Sequence, residues 1–269
     1  MSPLTFRQMV GAELLKLRRK RSIMWIAGLL SLGIVVIFFG VLEIEHLADP
    51  ATSGGPNGPS GYGPAGGLLR FDHATVLLSV WFGALMAILV GTEAGTTDSS
   101  SGVFRDLVVT GRPRLWLFAV RVPAALIVTL TFGLASLALS IAASFVFAGG
   151  LPTPSASFVL DGVLWVCAVQ AVMCVIAVGL GSLTGSRAAS LTVLIGWQLI
   201  AGRLLAMASS LGSLRDVIPN IALGSLKPGR PLPDNNPLTM AAGLAVVILL
   251  VWAGGWLSAG AWRTRTCDA

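Results

Sequence analysis

Along the chain, long charge-free apolar runs alternate six times with short charged connectors. The runs lie within Ile23–Leu42, Ala74–Thr92, Val122–Gly149, Gly162–Arg187, Ala188–Leu211 and Leu238–Trp262. A helix rises ~1.5 Å per residue, so ~20 apolar residues cover a hydrocarbon core of ~30 Å. Each run holds a stretch of that length, and only Arg203 sets a charge well inside one. The pattern predicts an all-α integral membrane fold with six transmembrane helices, at about 23–42, 74–92, 122–148, 162–184, 188–211 and 238–262. A basic entry helix over residues 1–22 precedes this membrane domain (23–262), and residues 263–269 form a tail.

The entry segment is amphipathic. Phe6, Val10, Leu14 and Leu17 recur at helical spacing, while Arg7, Glu13, Lys16 and the Arg18–Arg21 run face elsewhere. Pro3 suits a first helical turn. Such a helix lies on the cytoplasmic surface, its apolar side at the headgroup boundary and its cations near anionic lipid. The run Ile23–Leu42 exceeds the ~7–15 residues of a secretory signal core, and no small-x-small cleavage site follows it. It reads as a retained first helix.

The connectors differ in character. Residues 43–73 are acidic and then Gly/Pro-rich through Gly54–Gly67, which predicts a flexible, solvated linker. Residues 93–121 are the most patterned. Asp98 or one of Ser99–Ser101 caps a short helix running to about Thr110, which Gly111 ends and Pro113 prevents from continuing. Ser186-Arg187 joins two spans in a tight hairpin. In 212–237, Leu214, Val217, Ile218 and Ile221 keep helical spacing around Pro219. That segment is too short and too broken to span, and it is expected to dip into the outer leaflet.

Composition agrees with the pattern: 55% of residues are apolar and 11% charged, against ~25% charged in a soluble domain. Charge then sets orientation. With the N-terminus in the cytoplasm, thirteen of the eighteen Lys and Arg residues fall inside, four (Arg70, Arg215, Lys227, Arg230) outside, and Arg203 in the membrane. Both termini are therefore expected in the cytoplasm. The net charge of +6 is an orientation and headgroup signal, and nucleic acid is not an expected partner because no basic stripe interleaves with aromatics on a soluble face. The fifteen Arg against three Lys point to a GC-rich bacterial genome, hence to a bacterial inner or plasma membrane.

Catalytic chemistry is sparse. The histidines, His46 and His73, stand near span ends in one connector, and no Ser-centred elbow, HExxH or CxxC occurs. Cys167 and Cys174 share a helical face and read as small buried hydrophobes. No lysine follows a glycine, so the chain lacks the Gly-Lys-Ser/Thr of a phosphate-binding loop, and no metal or cofactor set can be assembled. Within the spans the polar candidates are Gln170, Gln198 and Arg203. The glutamines read as inter-helix hydrogen bonders; Arg203 either snorkels to the outer surface or lines a path.

The order of these features resembles the permease subunits of ABC transporters of the ABC-2 type. The resemblance rests on the entry helix (Ala12-Glu-Leu-Leu-Lys-Leu-Arg-Arg19), the six spans, and the stretch after span two, where Glu93, Ser101-Gly102, Arg105, Gly111-Arg112, Arg114 and Arg121 stand at positions patterned in that family. Arg121 occupies a place where members commonly carry Lys, and the broken segment at Pro219 is similar to their outer re-entrant element. The resemblance implies an exporter in which two such permeases, identical or related, pair around a pathway. Separate P-loop ATPase subunits would bind ATP and Mg, and the 93–114 helix would dock into a groove of the ATPase. The chain itself would then be no enzyme. The alternatives are a membrane-embedded enzyme or assembly factor, weakened by the missing catalytic set, and a secondary carrier, weakened by the lack of an embedded carboxylate.

Overall fold

A computed structural model describes residues 3–50, 52–55, 58–100, 114–229 and 240–266. Helix α1 (Pro3–Arg19) is followed by six helices long and apolar enough to cross a membrane: α2 (Arg21–Ala48), α3 (Leu68–Thr97), α4 (Arg114–Val146), α5 (Ala156–Thr184), α6 (Arg187–Met207) and α8 (Ala242–Thr266). A short helix, α7 (Pro219–Ser225), stands between the last two. This architecture fits a multi-pass membrane protein. Most of the six helices overshoot their charge-free runs by a turn or more, because helical hydrogen bonding continues beyond the apolar stretch that the sequence pattern measures. At three boundaries the helices end inside the expected limits: α4 stops at Val146 rather than 148, α6 stops at Met207 rather than Leu211, and α8 starts at Ala242 rather than Leu238.

Helix ends follow local chemistry. Pro152 and Pro154 precede α5, and Ser155 Oγ accepts from Phe158 N at its first turn. Gly185, at φ 65°, ends that helix in the left-handed conformation, and Ser186 caps α6 at once. This makes the hairpin between the two spans tight.

Helices α3 and α5 form the centre, and α4, α6 and α8 pack around them. Their approach is set by small residues. A Cβ at Gly91 would lie 2.5 Å from Cys174 O, and one at Gly95 would lie 2.7 Å from Val178 O. Two glycines four apart on one helix let the backbones touch, the usual device where lipid supplies no hydrophobic drive between helices. By contrast α2, α6 and α8 turn Trp25, Leu29, Val193, Leu204, Leu250 and Val251 outward. An apolar exterior of this extent is expected of a surface that meets lipid.

Both terminal helices reach the same end of the bundle, where Lys20 bonds Glu93, Arg263 Nη1 donates to Leu183 O, and Arg114 Nη1 donates to Arg265 O at 3.4 Å. That end also carries Arg18, Arg19, Arg21, Arg121 and Arg187, and is called the basic end below. Helix α1 does not lie free on it: Met9 is buried against Leu117 and Val120, and Phe6 meets Trp116 edge to face at 5.7 Å. The stripe expected to contact lipid thus packs at least partly on α4.

The described parts of the Gly/Pro-rich connector carry regular structure and a docked end. Helix α2 continues to Ala48, and β1 (Thr52–Gly55) pairs antiparallel with β2 (Gly58–Ser60). Gly66 N donates to Phe147 O and Gly67 N to Ser144 O, both at 2.8 Å, so the loop docks on the end of α4. Glycine is what admits this backbone-to-backbone contact. Pro219, read as a break, starts α7 at its first position, where a missing N–H costs nothing.

Candidate functional site

The described residues place polar chemistry in two clusters, one inside the bundle and one at its basic end. The inner cluster begins with a backbone irregularity. In α3, Leu77–Trp81 forms a π-helical turn, which leaves carbonyls out of register with the usual amide donors. Two glutamines supply replacements. Gln170 Nε2, from α5, donates to Leu78 O at 3.1 Å, and Gln198 Nε2, from a second π turn (Trp197–Ala201) in α6, donates to Val80 O at 2.8 Å. In hydrocarbon a carbonyl without a partner is costly, so both amides hold α3 to its neighbours. Gln170 fits because glycine flanks it: a Cβ at Gly133 would overlap its Oε1, and one at Gly83 would come within 2.7 Å of its Nε2.

Beside the π turn lies a cavity of about 90 Å³ whose polar lining is Ser79, Trp81, Gln198, Arg203 and Asn220. Arg203 stacks on Trp81 with its guanidinium carbon 3.4 Å from the ring centroid. Its side chain lines the cavity between α3, α6 and α7. Asn220 Nδ2 reaches Gln198 Oε1 at 3.5 Å, and α7, which carries it, is anchored by Trp165 Nε1 donating to Leu223 O at 2.8 Å. A second anchor is the ion pair of Lys227 with Asp72 at 2.5 Å, in which the lysine side chain is 2% exposed. Ser79 Oγ and Gln170 Oε1 are buried without a hydrogen-bond partner among the described residues. The cavity therefore offers a cation and neutral hydrogen-bonding groups, with no carboxylate in its lining. Such a lining can bind an anionic or hydrogen-bonding group.

The second cluster centres on Glu93, which is 3% exposed near the end of α3. Lys20 Nζ bonds its Oε1, Thr97 Oγ1 lies 3.2 Å from the same atom, and Arg187 Nε lies 3.2 Å from Oε2. Lys20 is the single non-helical residue at the corner between α1 and α2, and Arg187 opens α6. One carboxylate thus joins the entry helix, α3 and α6. Burying it costs several kcal/mol, offset by two cations that keep 36% and 44% of their side chains in solvent. Arg121, also buried, donates to Gly95 O at 3.4 Å, and Ser182 Oγ donates to the same carbonyl at 3.2 Å.

The sequence candidates fall out as follows. Gln170, Gln198 and Arg203 converge on the α3 π turn and its cavity. Glu93 and Arg121 face inward at the basic end, and Arg114 bonds the last turn of α8. Ser101, Gly102, Arg105, Gly111 and Arg112 lie outside the described residues. Lys20, Arg187, Ser79, Trp81 and Asn220 were not singled out from sequence as site residues. Lys20, Arg187 and Trp81 meet partners far away along the chain, and the π turn that holds Ser79 and Trp81 has the unremarkable sequence Leu-Leu-Ser-Val-Trp. No protein-family model and no curated protein sequence matches this chain.

Proposed function

We propose that this chain is the membrane-spanning permease subunit of an ATP-driven exporter of the ABC-2 type, working as a dimer with separate ATPase subunits and with both termini in the cytoplasm. The observation that carries the proposal is the Glu93 cluster at the root of the connector between α3 and α4. A segment docked on a motor must pass its displacement to the helices it joins. Here the α3 end of that connector is tied by one buried carboxylate to the entry helix and to α6, and by Gly95 O to α4 and α5. Movement of the connector root is thereby shared among five elements. Because Glu93 and Arg121 face their own chain, their place in the proposal is behind the docking segment; Arg105 and Arg112 are the residues proposed to meet the ATPase.

Two further features support this reading. The chain lacks a phosphate-binding loop, so ATP chemistry requires a partner. The inner cavity carries a cation and neutral hydrogen-bonding groups able to hold a cargo. The test is charge reversal on the connector. Arg105→Glu/Arg112→Glu should abolish association with an ATPase while leaving folding and membrane insertion unchanged. An unaltered association would remove the connector from the interface.

A further inference from the structure

At the basic end, α2 and α4 leave a groove of about 520 Å³ on the outside of the bundle. Its mouth carries Arg18 and Arg21, and its walls carry Trp25, Gly28, Leu29 and Phe132. Both arginines are exposed and have no acceptor among the described residues, whereas Lys20 and Arg187 beside them share Glu93. Below the guanidiniums the wall is wholly apolar. Gly28 thins it so that Phe132 forms the floor, its ring 3.5 Å from where a Cβ at position 28 would be. The groove ends at Gly33, the last residue of the π turn in α2. Twelve residues from Arg21 to Gly33 rise about 18 Å, close to the ~15 Å depth of one leaflet's hydrocarbon. Trp25, 77% exposed, lies one turn below Arg21, where interfacial aromatics collect.

We infer that this groove binds one acyl chain of an anionic phospholipid from the leaflet at the basic end, with Arg18 and Arg21 on its phosphate. Guanidinium is suited to a phosphate because its planar donors match two oxygens at once. A second copy of this chain is a poorer occupant, since a two-fold contact here would bring four uncompensated guanidiniums together. The inference requires only that the helices span a bilayer, and it stands whether or not the chain transports anything.

The experiment reconstitutes the full chain into nanodiscs of phosphatidylcholine with a minor fraction of phosphatidylglycerol, then counts retained lipids by native mass spectrometry. The native chain should retain phosphatidylglycerol selectively. Arg18→Gln/Arg21→Gln should lower that selectivity roughly thirtyfold, at ~1 kcal/mol per cation. Gly28→Leu, which fills the groove and keeps both charges, should lower it as well. Leu29→Trp, at an exposed position on the same wall, repeats that test should Gly28→Leu fail to fold. Equal retention of the two lipids by the native chain would overturn the site. So would full selectivity in the groove-filling variants, which would assign the effect to the basic surface alone. Cross-linking of Trp25→Cys between two copies in the same nanodisc would show the groove covered by protein and would equally overturn it.

Discussion

Replacing Gly133 by alanine sets a methyl group 2.0 Å from Gln170 Oε1 and 2.9 Å from its Cδ. The amide has nowhere to retreat, because α3 closes on its other face at Gly83. It must turn away, and Leu78 O in the π turn of α3 then loses its donor. The lost hydrogen bond is worth ~0.6–2 kcal/mol within a membrane protein, and the overpacking adds ~1–3 kcal/mol. Gly133→Ala should therefore destabilise the fold by about 2–5 kcal/mol. Gln170→Ala removes the same hydrogen bond and leaves a hole, for a comparable loss. The two should not add. Once residue 170 is alanine, the methyl group at 133 enters vacated space, so the double variant should be no less stable than Gln170→Ala alone. The coupling is then about 2 kcal/mol or more. Reversible unfolding of the purified chain in mixed micelles, followed by circular dichroism across the four forms, measures it. Losses that sum to within ~0.5 kcal/mol would refute the contact and the fit of Gln170 between the two glycines.

Three other outcomes follow from the same structure. Glu93→Gln leaves Lys20 and Arg187 without their shared carboxylate; because both cations are more than a third exposed, the expected cost is about 1–2 kcal/mol rather than the ~3–5 of a fully buried pair, read as a lower melting midpoint in detergent. Lys227→Met should cost ~3–5 kcal/mol, since it strands the Asp72 carboxylate, while Asp72→Leu/Lys227→Met should recover part of the loss; equal melting midpoints for the two forms would count against a buried pair. Gly95→Leu drives a side chain into Val178 O and Ser182 N, which are backbone and cannot yield, so folded protein should be lost, whereas Gly254→Leu, with open space around it, should purify like the native chain. Size-exclusion profiles of fluorescent fusions separate those two.

How much of this was legible beforehand differs by level. The spans were plain, because twenty apolar residues without a charge have few other uses. Gln170 and Gln198 stood out for the same reason, as polar residues where hydrocarbon was expected. Their acceptors did not, since Leu78 and Val80 offer only backbone carbonyls, in a π turn with no side-chain signature. Glu93 was visible in its connector, but Lys20 lies 73 residues away and became its partner only through the corner between α1 and α2. Asp72 and Lys227 stand 155 residues apart, each in a segment read as loop or span edge. Composition does not separate the two uses of glycine in the Gly/Pro-rich connector, flexible chain and close backbone contact, and at Gly66 and Gly67 it serves the second. Gly91 and Gly95, four apart in an apolar run, are the small-residue spacing of a tight helix contact, and they mark where α3 meets α5.

The proposed division of labour, a membrane subunit here and an ATP-hydrolysing subunit elsewhere, is tested most directly by purifying the tagged chain from its own membranes in mild detergent. The eluate is then assayed for ATP hydrolysis and for stoichiometric partners. A P-loop ATPase without membrane spans should co-elute at about one copy per permease and hydrolyse ATP, and both should disappear with Arg105→Glu/Arg112→Glu. A folded, monodisperse native chain that elutes with no ATPase and no ATP hydrolysis would contradict the transporter reading.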